Sequence, residues 1–147
     1  MLSNFTVIGG KASEDLARKI ASKLKGKYLK SELRIFPDGE SKITVSGKPN
    51  NGKIVVVQST YPPVDSNLIQ ALSLVAKAKK YSSQVYAVIP YLGYARQDKE
   101  FLPGEVVTMS LVAKMLQAAG ATKVIVTTSP GRNSLSCLAY PRYGITA

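Results

Sequence analysis

A chain of 147 residues that is 45% hydrophobic and 20% charged is long enough for one domain with its own core and too short for two large ones. The sequence has no histidine and one cysteine, Cys137, which excludes imidazole acid–base catalysis, Ser-His-Asp chemistry and the usual zinc ligand sets. A net charge of +11 favours anionic partners such as nucleotides, sugar phosphates or nucleic acid, against the plainer reading of a solvated lysine-rich face.

Phe5-Thr6-Val7-Ile8 before Gly9-Gly10 predicts a short buried strand running into a tight turn. Ser13 then precedes a helical pattern with Glu14 and Asp15 in its first turn, where carboxylates suit the helix dipole. Leu16, Ile20 and Leu24 give that helix its apolar stripe, and Gly26 is placed to end it. The Gly-Gly turn ahead of a helix could hold a phosphate, but without GxGxxG or a Walker lysine a strand-to-helix connection is the preferred reading. Arg18, Lys19, Lys23, Lys25, Lys27 and Lys30 cluster around this helix, yet they lack interleaved aromatics and match no nucleic-acid-binding pattern.

Leu33 and Ile35, then Ile43 and Val45, alternate with polar residues as half-buried strands do, and Phe36-Pro37-Asp38-Gly39-Glu40 between them is a turn by composition. Its plain reading is a hairpin connection; its carboxylates and aromatic could instead grip an adenine and ribose. Lys53-Ile54-Val55-Val56-Val57-Gln58 is a β-branched run that fits a strand buried on both faces. After Pro62-Pro63, Asp65 or Ser66 can cap a helix whose inner face is Leu68, Leu72, Val75 and Ala76, with Lys77, Lys79 and Lys80 near its end. A further strand over 85–89, a helix over 106–118 with Met109, Val112, Ala113 and Leu116 inward, Gly120, and a strand over 123–126 complete the pattern. Strand and helix alternating at this spacing predict a single α/β domain with a parallel sheet covered on both faces. No apolar run reaches the roughly 18 residues of a membrane span. With no leader pattern at the start and a lone cysteine, the expected address is the cytoplasm.

Ligands of parallel sheets bind beyond the carboxyl ends of the strands. The stretch Ile89-Pro90-Tyr91-Leu92-Gly93-Tyr94-Ala95-Arg96-Gln97-Asp98-Lys99-Glu100 occupies such a position. Arg96 is a planar cation suited to phosphate oxygens, Gln97 both donates and accepts, and Asp98 can orient Arg96. Gly93 and Ala95 allow close backbone approach. The plainer alternative is a surface loop in which Arg96 and Asp98 pair with each other for about 0–1 kcal/mol.

Three segments in this order resemble one family: Phe36-Pro37-Asp38-Gly39-Glu40-Ser41, Val57-Gln58-Ser59-Thr60-Tyr61-Pro62-Pro63, and the stretch from Ile89 to Lys99, with Ala118-Ala119-Gly120-Ala121 ahead of a strand. They are similar to ribose-phosphate pyrophosphokinase, and the Phe-Pro-Asp-Gly-Glu and Tyr-Pro-Pro forms resemble its archaeal members. The resemblance covers residues 1 to about 126 and implies the first of that family's two similar domains, a three-layer, phosphoribosyltransferase-like α/β fold with a mainly parallel sheet. It implies transfer of the β,γ-diphosphoryl group of ATP to the anomeric hydroxyl of ribose 5-phosphate, with Mg2+. It places Phe36, Asp38 and Glu40 in a loop that holds adenine in a neighbouring subunit's site, and Arg96 and Gln97 against ATP in the subunit that supplies the catalysis. A homodimer or higher oligomer follows from that sharing.

The chain also departs from the family. Where the family carries an acidic residue, one more residue and a metal-associated histidine after the last strand, Thr128, Ser129 and Pro130 stand here, and no Asp or Glu occurs from 106 to 147. Residues 127–147 read as an atypical tail in which Leu135, Leu138, Tyr140 and Tyr143 could cover exposed surface, with the second domain absent. The expectation is a truncated form that binds ATP without full catalysis and carries no complete catalytic set. The alternatives are a non-catalytic partner that regulates a complete synthetase, and a basic nucleic-acid-binding domain.

Overall fold

The computed structural model describes residues 4–127, and in chain order they form β1 (Phe5–Gly9), a 3-10 turn (Lys11–Ser13), α1 (Glu14–Lys23), β2 (Lys27–Ile35), β3 (Ser41–Val45), β4 (Lys53–Val57), α2 (Val64–Lys79), β5 (Val85–Ile89), α3 (Thr108–Ala119) and β6 (Lys123–Val126). The strands make one sheet in the order β3-β2-β1-β4-β5-β6. Every neighbouring pair is parallel except β2 with β3. The α/β class and the mainly parallel sheet expected from the sequence are both present. None of the described helices is long and apolar enough to cross a membrane.

Alternation along the strands sends side chains to two separate cores. Ile8, Ile54, Val56, Ala87, Ile89, Val124 and Val126 pack with α2 and α3, while Val7, Val55, Val57 and Val88 pack with α1. Both faces are therefore covered, which is why β4 and β5 read as continuous apolar runs. Helix α3 stops as predicted: Gly120 takes φ +113°, its amide meets Gln117 O at 2.9 Å, and Ala121 N meets Leu116 O at 3.1 Å.

Several local expectations shift. On α1, Ala17 and Ala21 are buried whereas Leu16, Ile20 and Leu24 are only partly so. A Cβ at Gly9 would lie 2.9 Å from the Ala17 Cβ, so helix and strand approach too closely for larger residues at the contact. Helix α1 ends at Lys23, and Lys25, not Gly26, takes the positive φ of +49°. Helix α2 starts at Val64 behind Pro63, so neither Asp65 nor Ser66 caps it, and Ala76 is exposed while Ala71, Leu74 and Ala78 are buried. Helix α3 begins at Thr108, two residues later than the pattern suggested. Strand β2 starts at Lys27, well ahead of Leu33, and Ile35 at its end is 61% exposed. Thr128, Ser129, Pro130, Leu135, Cys137, Leu138, Tyr140 and Tyr143 lie outside the described residues.

The charge cluster lies on exposed or half-covered surface: Arg18 stacks 4.7 Å from the Tyr28 ring centre, and Lys27 donates to Lys48 O at 2.9 Å. The Tyr28 ring sits against α1 with its hydroxyl buried and without a hydrogen-bond partner among the described residues, and burial raises that phenol's pKa above its ordinary value.

Leu74 is 1% exposed in the larger core. Leu74→Ala should cost about 2–5 kcal/mol in urea unfolding through lost burial and the cavity left behind. Ile69→Ala, at a side chain 55% exposed on the same helix, should stay within about 0.5 kcal/mol of the parent.

Candidate functional site

Strand β4 ends at Val57, and the next three residues stay buried although all are polar: Gln58 is 1% exposed, Ser59 8% and Thr60 1%. Each is satisfied by a different part of the chain. Gln58 Oε1 accepts from Ala12 N at 3.2 Å, and its Nε2 reaches Asn67 Oδ1 and Gln70 Oε1, both at 3.4 Å. Gly10 is required beside it, because a Cβ there would come within 2.0 Å of Gln58 Oε1. The amide at the Gly-Gly turn thus meets a carboxamide, which supports the strand-to-helix connection over a phosphate cradle. Ser13 Oγ accepts from Ser59 N at 2.8 Å instead of capping α1.

Thr60 joins this segment to the loop after β5. Its amide and its hydroxyl both donate to Tyr91 O at 2.9 Å, and the hydroxyl accepts from Gly93 N at 2.6 Å. The Tyr61 and Tyr91 rings meet edge to face with centroids 5.4 Å apart. Asn67 Nδ2 holds Tyr61 O at 2.5 Å, and the peptide between Pro62 and Pro63 is cis. Farther along, the Tyr94 hydroxyl donates to Asp65 Oδ1 at the start of α2. Tyr94 itself takes φ +66°, a left-handed conformation that costs a residue with a side chain on the order of 1–3 kcal/mol.

The predicted phosphate-facing residues follow directly. Gln97 N donates to Tyr94 O at 2.9 Å, and Gln97 O accepts from Met109 N at 3.1 Å in the first turn of α3. The backbone at Gln97 is therefore held from both sides while the Arg96 and Gln97 side chains are exposed. Residues 98–106 form a separate excursion closed on itself: Glu105 Oε2 accepts from Phe101 N and Leu102 N at 3.0 and 3.1 Å.

Phe36, Asp38 and Glu40 sit on the turn between β2 and β3. Phe36 N donates to Glu40 O and Gly39 N to Phe36 O, both at 2.9 Å, and Asp38 Oδ1 accepts from Glu40 N at 3.1 Å. Arg34 stacks 5.2 Å from the Phe36 ring centre. Strand β2 leaves β1 after the Gly9–Lys30 pair and continues beside β3 for residues 31–35. At about 3.3 Å per residue the turn projects roughly 16 Å past the end of β1. The two predicted groups line different clefts. Glu40 borders one of about 410 Å³ with Gly39, Ser41, Asp65, Ser66 and Ile69, and Gln97 another of about 320 Å³ with Lys99, Phe101, Glu105 and Val106. Asp65 lines the first cleft and also accepts from the hydroxyl of Tyr94 in the loop. A third cleft, of about 560 Å³ between the start of α1, Ser59 and Pro90, includes neither Arg96 nor Gln97. At its rim Lys11 donates to Glu14 at 3.2 Å, a hydrogen bond that lowers the Glu14 pKa.

Sequence reading missed Gln58, Thr60, Asn67 and Tyr94 as organisers of this end of the sheet. The available signal was the polar run Gln58-Ser59-Thr60 straight after a fully buried strand. Among the described residues no group of three or more His, Cys, Asp or Glu side chains could hold a metal ion.

The hydrogen bond to Asp65 raises the Tyr94 pKa above its ordinary value, with burial and the Asp65 charge adding to it. A phenol loses its proton on ionising, so the bond's contribution is complete below the ordinary phenol range near about 10 and is lost as pH rises through the raised folded value. In an ultraviolet titration of the eight tyrosines, Tyr94→Phe should remove one late-titrating component, and Asp65→Asn should move that component down.

The model for the N-terminal domain of ribose phosphate pyrophosphokinase matches residues 5–120. The chain is 42% identical over 120 residues to a ribose-phosphate pyrophosphokinase of Methanobrevibacter smithii, covering 81% of this chain and 40% of that protein. With the ribose-phosphate pyrophosphokinase of Methanothermobacter thermautotrophicus it shares 42% over 131 residues, covering 88% of this chain and 45% of the relative. Its fold matches the crystal structure of phosphoribosylpyrophosphate synthetase from Mycobacterium smegmatis with a TM-score of 0.76 at 28% identity, over 84% of this chain and 42% of that one. The chain thus spans less than half the length of these relatives. By fold, by the extent of the family match and by its identity to archaeal members, it belongs to the ribose-phosphate pyrophosphokinase family through that family's N-terminal domain.

Proposed function

We propose that this domain binds ATP through Arg96 and Gln97, in the manner its family implies for ribose-phosphate diphosphokinase, where ATP and ribose 5-phosphate give AMP and phosphoribosyl diphosphate. The observation that carries the proposal is the backbone at Gln97, fixed between Tyr94 O and the first turn of α3 while both side chains face outward. Arg96 then offers phosphate oxygens a fork of N–H donors from a stationary base, and Gln97 can donate to and accept from a nucleotide beside it. In the transfer itself the sugar's anomeric oxygen bonds to the β-phosphorus as the bond to the α-phosphate oxygen breaks. The protein's part is orientation and charge compensation.

The turn Phe36–Glu40 serves a second copy of the chain in this proposal. Its projection beyond β1, the exposed Ile35 beside it and its cleft separate from that of Gln97 all suit a residue set offered to a neighbour. Phe36 supplies an aromatic face and Asp38 and Glu40 supply acceptors, which suit an adenine and its ribose hydroxyls. A homodimer or higher oligomer is then the binding unit. The lone cysteine fits a reducing, cytoplasmic setting. Magnesium, which the family implies, has no three-ligand cluster among the described residues, and no step is assigned to it.

For the 147-residue chain we assign binding and not turnover, because its sequence holds no histidine and no carboxylate from 106 onward. Calorimetric titration should show ATP binding that Arg96→Ala weakens by about tenfold to a hundredfold, as loss of a charged hydrogen-bonded contact worth about 1.5–3 kcal/mol requires. Undiminished binding by Arg96→Ala overturns the assignment. AMP release from ATP and ribose 5-phosphate should stay at background, and robust turnover by the chain alone would overturn the restriction to binding.

A further inference from the structure

Thr60 lies outside the stretch that carries Arg96 and Gln97 and is itself 1% exposed. We infer that Thr60 is a positioning residue for the nucleotide loop, acting with Asp65 to hold residues 91–97 in the conformation that presents Arg96 and Gln97; this rests on the ATP-binding role proposed above. Three features support it. The Thr60 hydroxyl is fully engaged, donating to Tyr91 O and accepting from Gly93 N, so its rotamer and the path of residues 91–93 are set together. Gly93 fits against it only without a side chain, since a Cβ there would lie 2.4 Å from Val64 Cγ1 and 3.3 Å from Thr60 Oγ1. One residue beyond that anchor, the left-handed backbone of Tyr94 sits directly between the Asp65 tether and the Tyr94 O···Gln97 N bond.

A strained residue persists where its surroundings over-determine it. Here the surroundings are Thr60 before it, Asp65 at its own side chain and the start of α3 after it. With the Thr60 hydroxyl disengaged, Gly93 N loses its acceptor directly before Tyr94, and Tyr94 can relax toward an ordinary φ. That relaxation turns the 94–97 backbone and redirects Arg96. Ligand binding then has to restore the conformation, and affinity falls by the fraction of chains that occupy it. Thr60 does this without touching ligand.

The test uses the full 147-residue chain with Thr60→Val, which keeps the shape and removes the hydroxyl, and Thr60→Ser, which restores the hydroxyl. Amide hydrogen exchange should accelerate about tenfold or more at Gly93 and Gln97 in Thr60→Val while β5 stays protected, and ATP affinity should drop by about tenfold, as roughly one lost buried hydrogen bond allows. Thr60→Ser should recover both. Should Thr60→Val not fold, Tyr94→Phe cuts the half-buried tether to Asp65 and should show the same paired effect. Unchanged exchange at Gly93 and Gln97, or accelerated exchange with an unaltered ATP dissociation constant, overturns the positioning role. The outcomes separate cleanly from those for the site itself. If Arg96→Ala loses ATP while Thr60→Val keeps it within twofold, only the positioning role falls; if Arg96→Ala binds as the parent does, the assignment of Arg96 falls and takes the positioning role with it.

Discussion

Gln58 emerges from the end of β4 into a place where water does not reach, and its carboxamide has to be satisfied by protein. That requirement organises the end of the sheet on which ligands of such folds collect. The oxygen takes the amide of Ala12 and so fixes the turn into α1; the nitrogen faces Asn67 and Gln70 and so fixes the roll of α2. A buried amide left without partners costs about 1–3 kcal/mol, enough to select one packing of two helices over its alternatives. Asn67 passes the constraint on through Tyr61 O, and Thr60 passes it to the loop after β5. The network is buried and polar, and it ties the turn into α1, helix α2 and the loop after β5 to the end of β4.

The fold was readable in the sequence where one physical signal dominated. Residues 54–57 and 85–89 are apolar at successive positions because the sheet is covered on both faces, and only strands between two layers of helices need that. Gly120 was legible because a left-handed helix end favours glycine. The misread details have equally definite causes. On α1 the largest apolar residues were taken for the contact, but the close approach at Gly9 admits only Ala17 and Ala21, and Leu16, Ile20 and Leu24 ride along the flanks. On α2 the inward face includes Asn67 and Gln70, so counting apolar residues alone rotated the face toward Ala76. Lys25 in place of Gly26 at a positive φ is a case where the helix end was right and the residue wrong.

The outward half of the candidate site was legible and the inward half was not. Arg96 and Gln97 announce themselves by chemistry, since a fixed cation and an amide beyond the end of a buried strand have few other uses. Thr60, Asp65 and Tyr94 carry no such label. Their contacts join residues 31, 33 and 29 positions apart, and a single sequence holds no record of which distant residues meet. Asp65 was assigned to a helix cap on local grounds, yet its oxygen faces a tyrosine of another loop.

This division of labour has a physical logic. A guanidinium gives strong, directional contacts to phosphate only if its base is stationary, and each rotamer-rich side chain immobilised on binding costs about 0.5–1.5 kcal/mol. Letting the backbone move as well would add about 1–2 kcal/mol per residue that must be ordered. In the proposed binding role, fixing residues 91–97 from the interior would confine that cost to the side chains of Arg96 and Gln97. The excursion over 98–106 closes on the Glu105 carboxylate and lines one cleft with Gln97. Asp65 makes the loop and the β2–β3 turn neighbours of one residue, which gives a ligand or a second chain at the turn a direct mechanical route to Tyr94 and hence to Arg96. Asp65→Asn removes the charge from the first cleft and the carboxylate to which Tyr94 donates, while the residues that line the Gln97 cleft stay as they are.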